Sequence, residues 1–240
     1  MWESLMPKPF DKWTVLPHDA IEIIDNNILA AEGPLGKFPR RMTIVRLTGQ
    51  RLIIHSGIAL DEAGMARIES FGEPSFYIVP SALHRMDVKP WKQRYPDIKI
   101  VCPPGARSKV EELVKVDTVA PDFGDPAVHY KVVDGTAQRE GVLIVKGSQG
   151  TTLVLNDLIF NVRKQPGVIG LLFDVLGVTG PEAKMPKLVM RKLVHDKSAL
   201  RVQLEQWANL SDLQRIILSH GAVIEADPGG TLRRFAASMA

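Results

Sequence analysis

Polar and apolar residues alternate in short runs through the first half of the chain, and apolar residues recur every three or four positions in much of the second. Ala20–Ile24 and Asn27–Ala31 are apolar runs around a turn-like Asp25-Asn26 pair. Arg41–Leu47 alternates, and Gly49-Gln50 turns it back into Arg51–His55, which predicts a hairpin. Asp61–Phe71 sets Met65, Ile68 and Phe71 on one helical face, with Gly72 and Pro74 as its stop. Phe76–Val79 reads as a short buried strand halted by Pro80. Pro90–Tyr95 reads as a helix with proline in its first turn, and Lys99–Cys102 as a strand ended by Pro103-Pro104-Gly105. Ser108 and Glu111 have the spacing of a capping box.

Three more strands follow, His129–Val133, Val142–Lys146 and Thr151–Leu155, the last two joined by a turn at Gly147-Ser148-Gln149-Gly150. The pattern then becomes helical over Gly167–Leu176, Lys184–Val194 and Ser198–Leu210, where Leu200, Leu204 and Trp207 share a face. Arg215–Ser219 returns to strand, and Thr231–Met239 predicts a last helix. Hairpins beside strand–helix–strand units predict mixed sheets rather than a doubly wound parallel one. The expected class is α/β (α+β). Two strand-rich blocks, each followed by amphipathic helices that need an apolar sheet to cover, predict a four-layer αββα sandwich. At 240 residues, one generous domain or two small ones would fit. The reading adopted is a single domain with a helical insertion at about 165–210.

Composition narrows the function classes. With 45% hydrophobic and 24% charged residues, the chain is of ordinary globular type, which excludes disorder and coiled coil as descriptions of the whole. No apolar run reaches bilayer length, and Met1–Phe10 lacks the profile of a secretory signal. The single cysteine, Cys102, excludes an internal disulfide and a multi-cysteine metal site, which together suit a cytoplasmic location. Cys102 itself reads as buried and inert. Net charge is +3, and the basic residues are scattered rather than striped, so no nucleic-acid partner is expected. The best basic patch is Lys184–Lys197, which would suit a phosphate-bearing or acidic partner. The apolar stretch Val168–Val178 reads as core or pocket wall, with a membrane-surface or dimer face as the second reading.

Of the six histidines, His55, His84 and His220 fall where a strand ends and a loop begins, and Asp157 follows its strand in the same way. Strand ends hold side chains rigidly while exposing them, which is why catalytic groups collect there. These strings resemble the metallo-β-lactamase fold. Arg51-Leu-Ile-Ile-His-Ser-Gly57, a helix and Phe76-Tyr-Ile-Val-Pro80 resemble its first half, where a strand carrying Asp-Thr-Gly precedes a helix, a strand and a His-x-His-x-Asp-His loop. Thr151–Phe160 is similar to the later Gly-Asp-x-x-Phe segment, and Ile216-Ile-Leu-Ser-His220-Gly221 to the last His-Gly. The resemblance covers roughly residues 20–235. It is nearest an uncharacterised branch of that superfamily with Pro-Asn-x-x-His-His, Tyr-Pro-x-x-x-Val and Asp-Leu-Val-Phe-Asn segments. Here these read Pro80-Ser-Ala-Leu-His84-Arg85, Tyr95-Pro-Asp-Ile-Lys-Ile100 and Asp157-Leu-Ile-Phe-Asn161.

The ligand motif is degenerate. In one register the four positions of the histidine loop become Ser81, Leu83, Arg85 and Met86. Slipped by one they become Ala82, His84, Met86 and Asp87. The middle histidine of the family falls near Gln138. A di-zinc centre needs converging imidazoles and carboxylates, so the complete centre is not expected. What the resemblance leaves is a cleft of His55, His84, Asp87, Asp157 and His220, with His84, Asp157 and His220 as holders of one zinc or other divalent metal, or of none. Two functions follow. One is a hydrolase with a mononuclear metal acting on an ester, thioester or phosphoester. The other is a non-catalytic small-molecule or protein binding module on the same scaffold, in which hydrogen bonds replace metal.

Overall fold

A computed structural model describes residues 8–35, 38–164, 166–175 and 177–239. Most of the N-terminal stretch considered above, residues 1–7, lies outside these, as does Leu176 at the end of one expected helix. The chain divides into two compact units, with the boundary between Pro126 and Ala127.

The first unit is built on a mixed sheet of six strands in sequence order: β1 (Glu22–Asp25), β2 (Ile28–Leu35), β3 (Phe38–Arg46), β4 (Arg51–His55), β5 (Glu73–Ile78) and β6 (Lys99–Val101). The first four are antiparallel neighbours. The turn between β1 and β2 is one residue later than expected, because Asp25 pairs with Ile28 and leaves Asn26-Asn27 as the loop. β4, β5 and β6 run parallel, and each parallel step needs a crossover. The first crossover is α1 (Glu62–Phe71), started by the Asp61 side chain accepting from the Gly64 amide at 2.8 Å. Its Met65, Ile68 and Phe71 are buried as the spacing predicted. The second carries α2 (Val88–Arg94), and α3 (Arg107–Glu111) follows β6. Met42, Ile44, Leu52, Ile54 and Tyr77 form one apolar core with Met65, Ile68, Trp91 and Val110 from these helices. The expected capping box at Ser108 does not form: α3 starts at Arg107 with Ala106 as its cap, so Ser108 is already inside the helix, and Glu111 receives the Arg107 guanidinium instead, at 2.9 Å.

The second unit holds a four-stranded mixed sheet in the order β10-β9-β8-β7. These are β7 (Val128–Val132), β8 (Gly141–Gly147), β9 (Gly150–Leu155) and β10 (Leu213–Leu218). β7, β8 and β9 are antiparallel, while β10 lies parallel to β9. That parallel step is bridged by α4 (Gly167–Val175), α5 (Lys187–Leu193) and α6 (Lys197–Ala208), and α7 (Pro228–Ala237) closes the unit. Leu200, Leu204 and Trp207 of α6 and Leu232 and Phe235 of α7 bury against Leu153, Leu155, Ile216 and Leu218. The mixed α/β class and the two mixed sheets are as the hydrophobic pattern predicted.

Candidate functional site

In the first unit, β4 delivers His55 and then Ser56 to a strand end. Ser56 has a left-handed backbone (φ +54°), fixed by its amide donating to the Ile78 carbonyl at 3.0 Å. The next residue has to be glycine, since a Cβ on Gly57 would lie 2.4 Å from the Tyr77 ring and 3.0 Å from the Trp91 indole nitrogen. This geometry brings the Ser56 hydroxyl 2.8 Å from His84 Nδ1. His84 sits in the turn after β5, its amide bonded to the Ser81 carbonyl at 3.2 Å. When Ser56 Oγ accepts from Nδ1–H, the lone pair of His84 lies on Nε2, the arrangement that readies an imidazole as a ligand.

His55 is only 1% exposed, and neither ring nitrogen has a hydrogen-bond partner among the described residues. Burial, reinforced by the nearby His84, pulls its pKa down to about 3, so it is neutral at ordinary pH. Asp87 is buried too, but both carboxylate oxygens are engaged. Arg40 donates to Oδ2 at 2.6 Å, and the Ala59 amide to Oδ1 at 3.2 Å. Burial pushes its pKa up, and Arg40 opposes that shift. Asp87 is therefore part of an ion pair that ties β3 to the start of α2. Arg85 is tied to α3, donating to the Lys109 carbonyl and to Glu112, each at 2.6 Å. Ser81 Oγ accepts from the Leu83 amide at 3.3 Å. Cys102 is fully buried with its thiol pushed up to about 12 by burial, consistent with an inert side chain.

In the second unit, register explains the site. Leu155 of β9 pairs with Leu218 of the parallel β10. Asp157 and His220 each stand two residues beyond that pair, so they emerge side by side at one sheet edge. His220 Nε2 and Asp157 Oδ1 are 3.2 Å apart, and the Phe160 ring lies against the imidazole with centroids 4.7 Å apart. His220 is held from behind, its carbonyl accepting the Asn161 amide at 3.0 Å. Gly221 turns the chain at φ +93°, and a Cβ there would lie 2.1 Å from the Asn161 carbonyl oxygen. The His-Gly string is thus a steric requirement of this edge.

Glu140 was not singled out from the sequence. It is fully buried just before β8, and its Oε1 accepts the amides of Asn156 at 3.2 Å and Leu158 at 3.3 Å. It thereby clamps the loop that carries Asp157. Burial, and after it the adjacent Asp157, push its pKa well up. Gln138, near the family's middle histidine, is exposed with φ +60°.

Comparison with solved structures places this architecture. The chain is similar to the metallo-β-lactamase DIM-1, at a TM-score of 0.62 and 11% identity, over 95% of this chain and 100% of that one. It is similar to TMB-1 at a TM-score of 0.61 and 13% identity, over 93% and 99%. The metallo-β-lactamase FIM-1 from Pseudomonas aeruginosa, in its mono-zinc form, matches at 0.58 and 13% identity, over 93% and 96%. The chain therefore has the metallo-β-lactamase fold, as its motifs suggested, in a sequence far diverged from these structures. No protein-family model and no curated protein matches it in sequence.

Proposed function

We propose that this chain is a hydrolase-like protein with one divalent metal held by His84, Asp157 and His220, acting on an ester, thioester or phosphoester. The observation that carries the reading is the Asp157–His220 pair. Two donors on one tetrahedral zinc, at bond lengths near 2.1 Å, stand about 3.4 Å apart. Asp157 Oδ1 and His220 Nε2 are 3.2 Å apart. The donor chemistry also suits a divalent ion, combining two imidazoles and a carboxylate.

A bound ion would supply Lewis acidity and an acidified water. The chain's own groups do the rest. Ser56 orients the His84 ring, Glu140 fixes the Asp157 loop from behind, and Phe160 with Gly221 fixes His220. A buried neutral His55 beside His84 adds no positive charge where a cation would be held.

Titration calorimetry of zinc into chelator-stripped protein tests the ligand set. The expected result is about one ion per chain, with affinity lowered at least tenfold in His84→Ala and in His220→Ala. Zinc binding that neither substitution weakens would overturn the assignment. A second reading, a non-catalytic binding module, is favoured by Gln138 falling near the family's middle histidine and, in the unslipped register, by Arg85 taking a ligand position. It is separated by assaying the metal-loaded protein against nitrophenyl ester and phosphate substrates: turnover that depends on His84 supports the hydrolase, and binding without turnover supports the module.

A further inference from the structure

We propose that the surface formed by α4 and α5 docks on an anionic lipid bilayer. α4 is the most apolar helix of the chain, with Asp174 as its one charged residue. It nonetheless leaves Leu171 at 65% and Val175 at 74% exposure, four residues apart and so on one face. None of its described side chains joins the apolar core that α6 and α7 build. Two large apolar side chains exposed on one face of the chain's most apolar helix offer a surface that a bilayer can cover.

Charge identifies the cover. Between residues 163 and 197, seven Lys and Arg face three Asp and Glu, a net of +4 in a chain whose total is +3. The three acids are already engaged. Asp174 pairs with Lys164 at 2.8 Å, Glu182 lies 3.6 Å from Arg234, and Asp196 caps α6 through the Ala199 amide at 3.0 Å. Lys187, Arg191 and Lys192 are exposed and make no ion pair among the described residues. They lie on the outer side of α5, whose Val189, Met190 and Leu193 face the core. The two helices adjoin: a Cβ on Gly177, two residues past α4, would come within 3.9 Å of the Lys187 amide nitrogen.

An exposed apolar helix beside a basic one suits the interface of a bilayer, where the apolar side chains enter the acyl boundary and the cations meet phosphate and carboxylate headgroups. A second copy of this chain would set +4 against +4, which disfavours self-association through this face. No helix among the described residues is long and apolar enough to cross a membrane, so the contact would be peripheral.

The test is co-sedimentation of the full chain with vesicles of phosphatidylcholine, with and without phosphatidylserine. Binding is expected only to the anionic vesicles. Lys187→Ala, Arg191→Ala and Lys192→Ala together should lower partitioning roughly a hundredfold, at about fivefold per basic residue. Leu171→Ser with Val175→Ser should lower it about tenfold. All five side chains are surface groups, and an unchanged unfolding midpoint in each variant confirms that the fold is intact. No binding to anionic vesicles, or equal binding to neutral ones, would overturn the proposal. So would binding that the Leu171/Val175 variant leaves untouched, which would point to adsorption by charge alone and hence to an acidic protein partner.

Discussion

Acidification should destabilise the first unit through one residue. In the folded chain His55 is buried with no partner for either ring nitrogen among the described residues, and its pKa is pulled down to about 3. In the unfolded chain it returns to about 6.5. Below that value the unfolded state takes up a proton that the native state refuses. Stability from this group is therefore complete above about pH 6.5 and declines as pH falls toward 3. The linkage relation gives a loss of about 2 kcal/mol by pH 5, approaching roughly 5 kcal/mol at the acid end of the window. The perturbation is His55→Leu. It deletes two nitrogens that make no hydrogen bond among the described residues, so at pH 7.5 the cost should stay below about 1.5 kcal/mol, set by shape alone. Urea unfolding at pH 7.5 and pH 5, with chelator present so that metal release does not contribute, gives both numbers. The wild-type chain should lose about 2 kcal/mol more than the variant between the two pH values. Equal losses in the two proteins would refute the burial argument. A variant weakened by more than about 3 kcal/mol at pH 7.5 would show instead that the imidazole is well bonded.

Other positions give sharp expectations. Gly221→Ala puts a Cβ 2.1 Å from the Asn161 carbonyl oxygen at φ +93°, so thermal unfolding should show a loss of about 3 kcal/mol or more, and zinc affinity should fall with it because His220 is displaced. Asp87→Asn leaves the Arg40 guanidinium buried without its counter-charge and should cost about 3–5 kcal/mol in urea unfolding. Glu140→Gln keeps an oxygen that can accept from the Asn156 and Leu158 amides. Stability at pH 7 should therefore fall less than in Glu140→Leu, which leaves both amides unpaired and should cost about 1–3 kcal/mol in urea unfolding.

The strands and helices were legible because their signals are local. Alternation in Arg41–Leu47 and Arg51–His55, the Gly49 turn between them and the three-four spacing of Met65, Ile68 and Phe71 each act over a few residues. His84, Asp157 and His220 were legible as strand-end residues, and the register of β9 with β10 gives the reason for the latter two. What stayed hidden depends on contacts between distant positions. Nothing near Asp87 in sequence announces Arg40, 47 residues earlier. Glu140 reads as an ordinary polar residue until the Asn156–Leu158 loop closes over it. Ser56 was overshadowed by its histidine neighbour, although the Ser-Gly pair at a strand end was a usable signal for a left-handed turn. Ser108 misled in the opposite sense, because a capping-box spacing says nothing about a helix that starts one residue earlier.

We propose one metal shared by His84, Asp157 and His220. Crystals grown with zinc and measured at the zinc absorption edge test it most directly. One anomalous peak per chain is expected within bonding distance of all three side chains, at about 2.0–2.2 Å from nitrogen and oxygen donors. A peak that leaves out His84 or the Asp157–His220 pair, or two peaks bridged at that place, would contradict it.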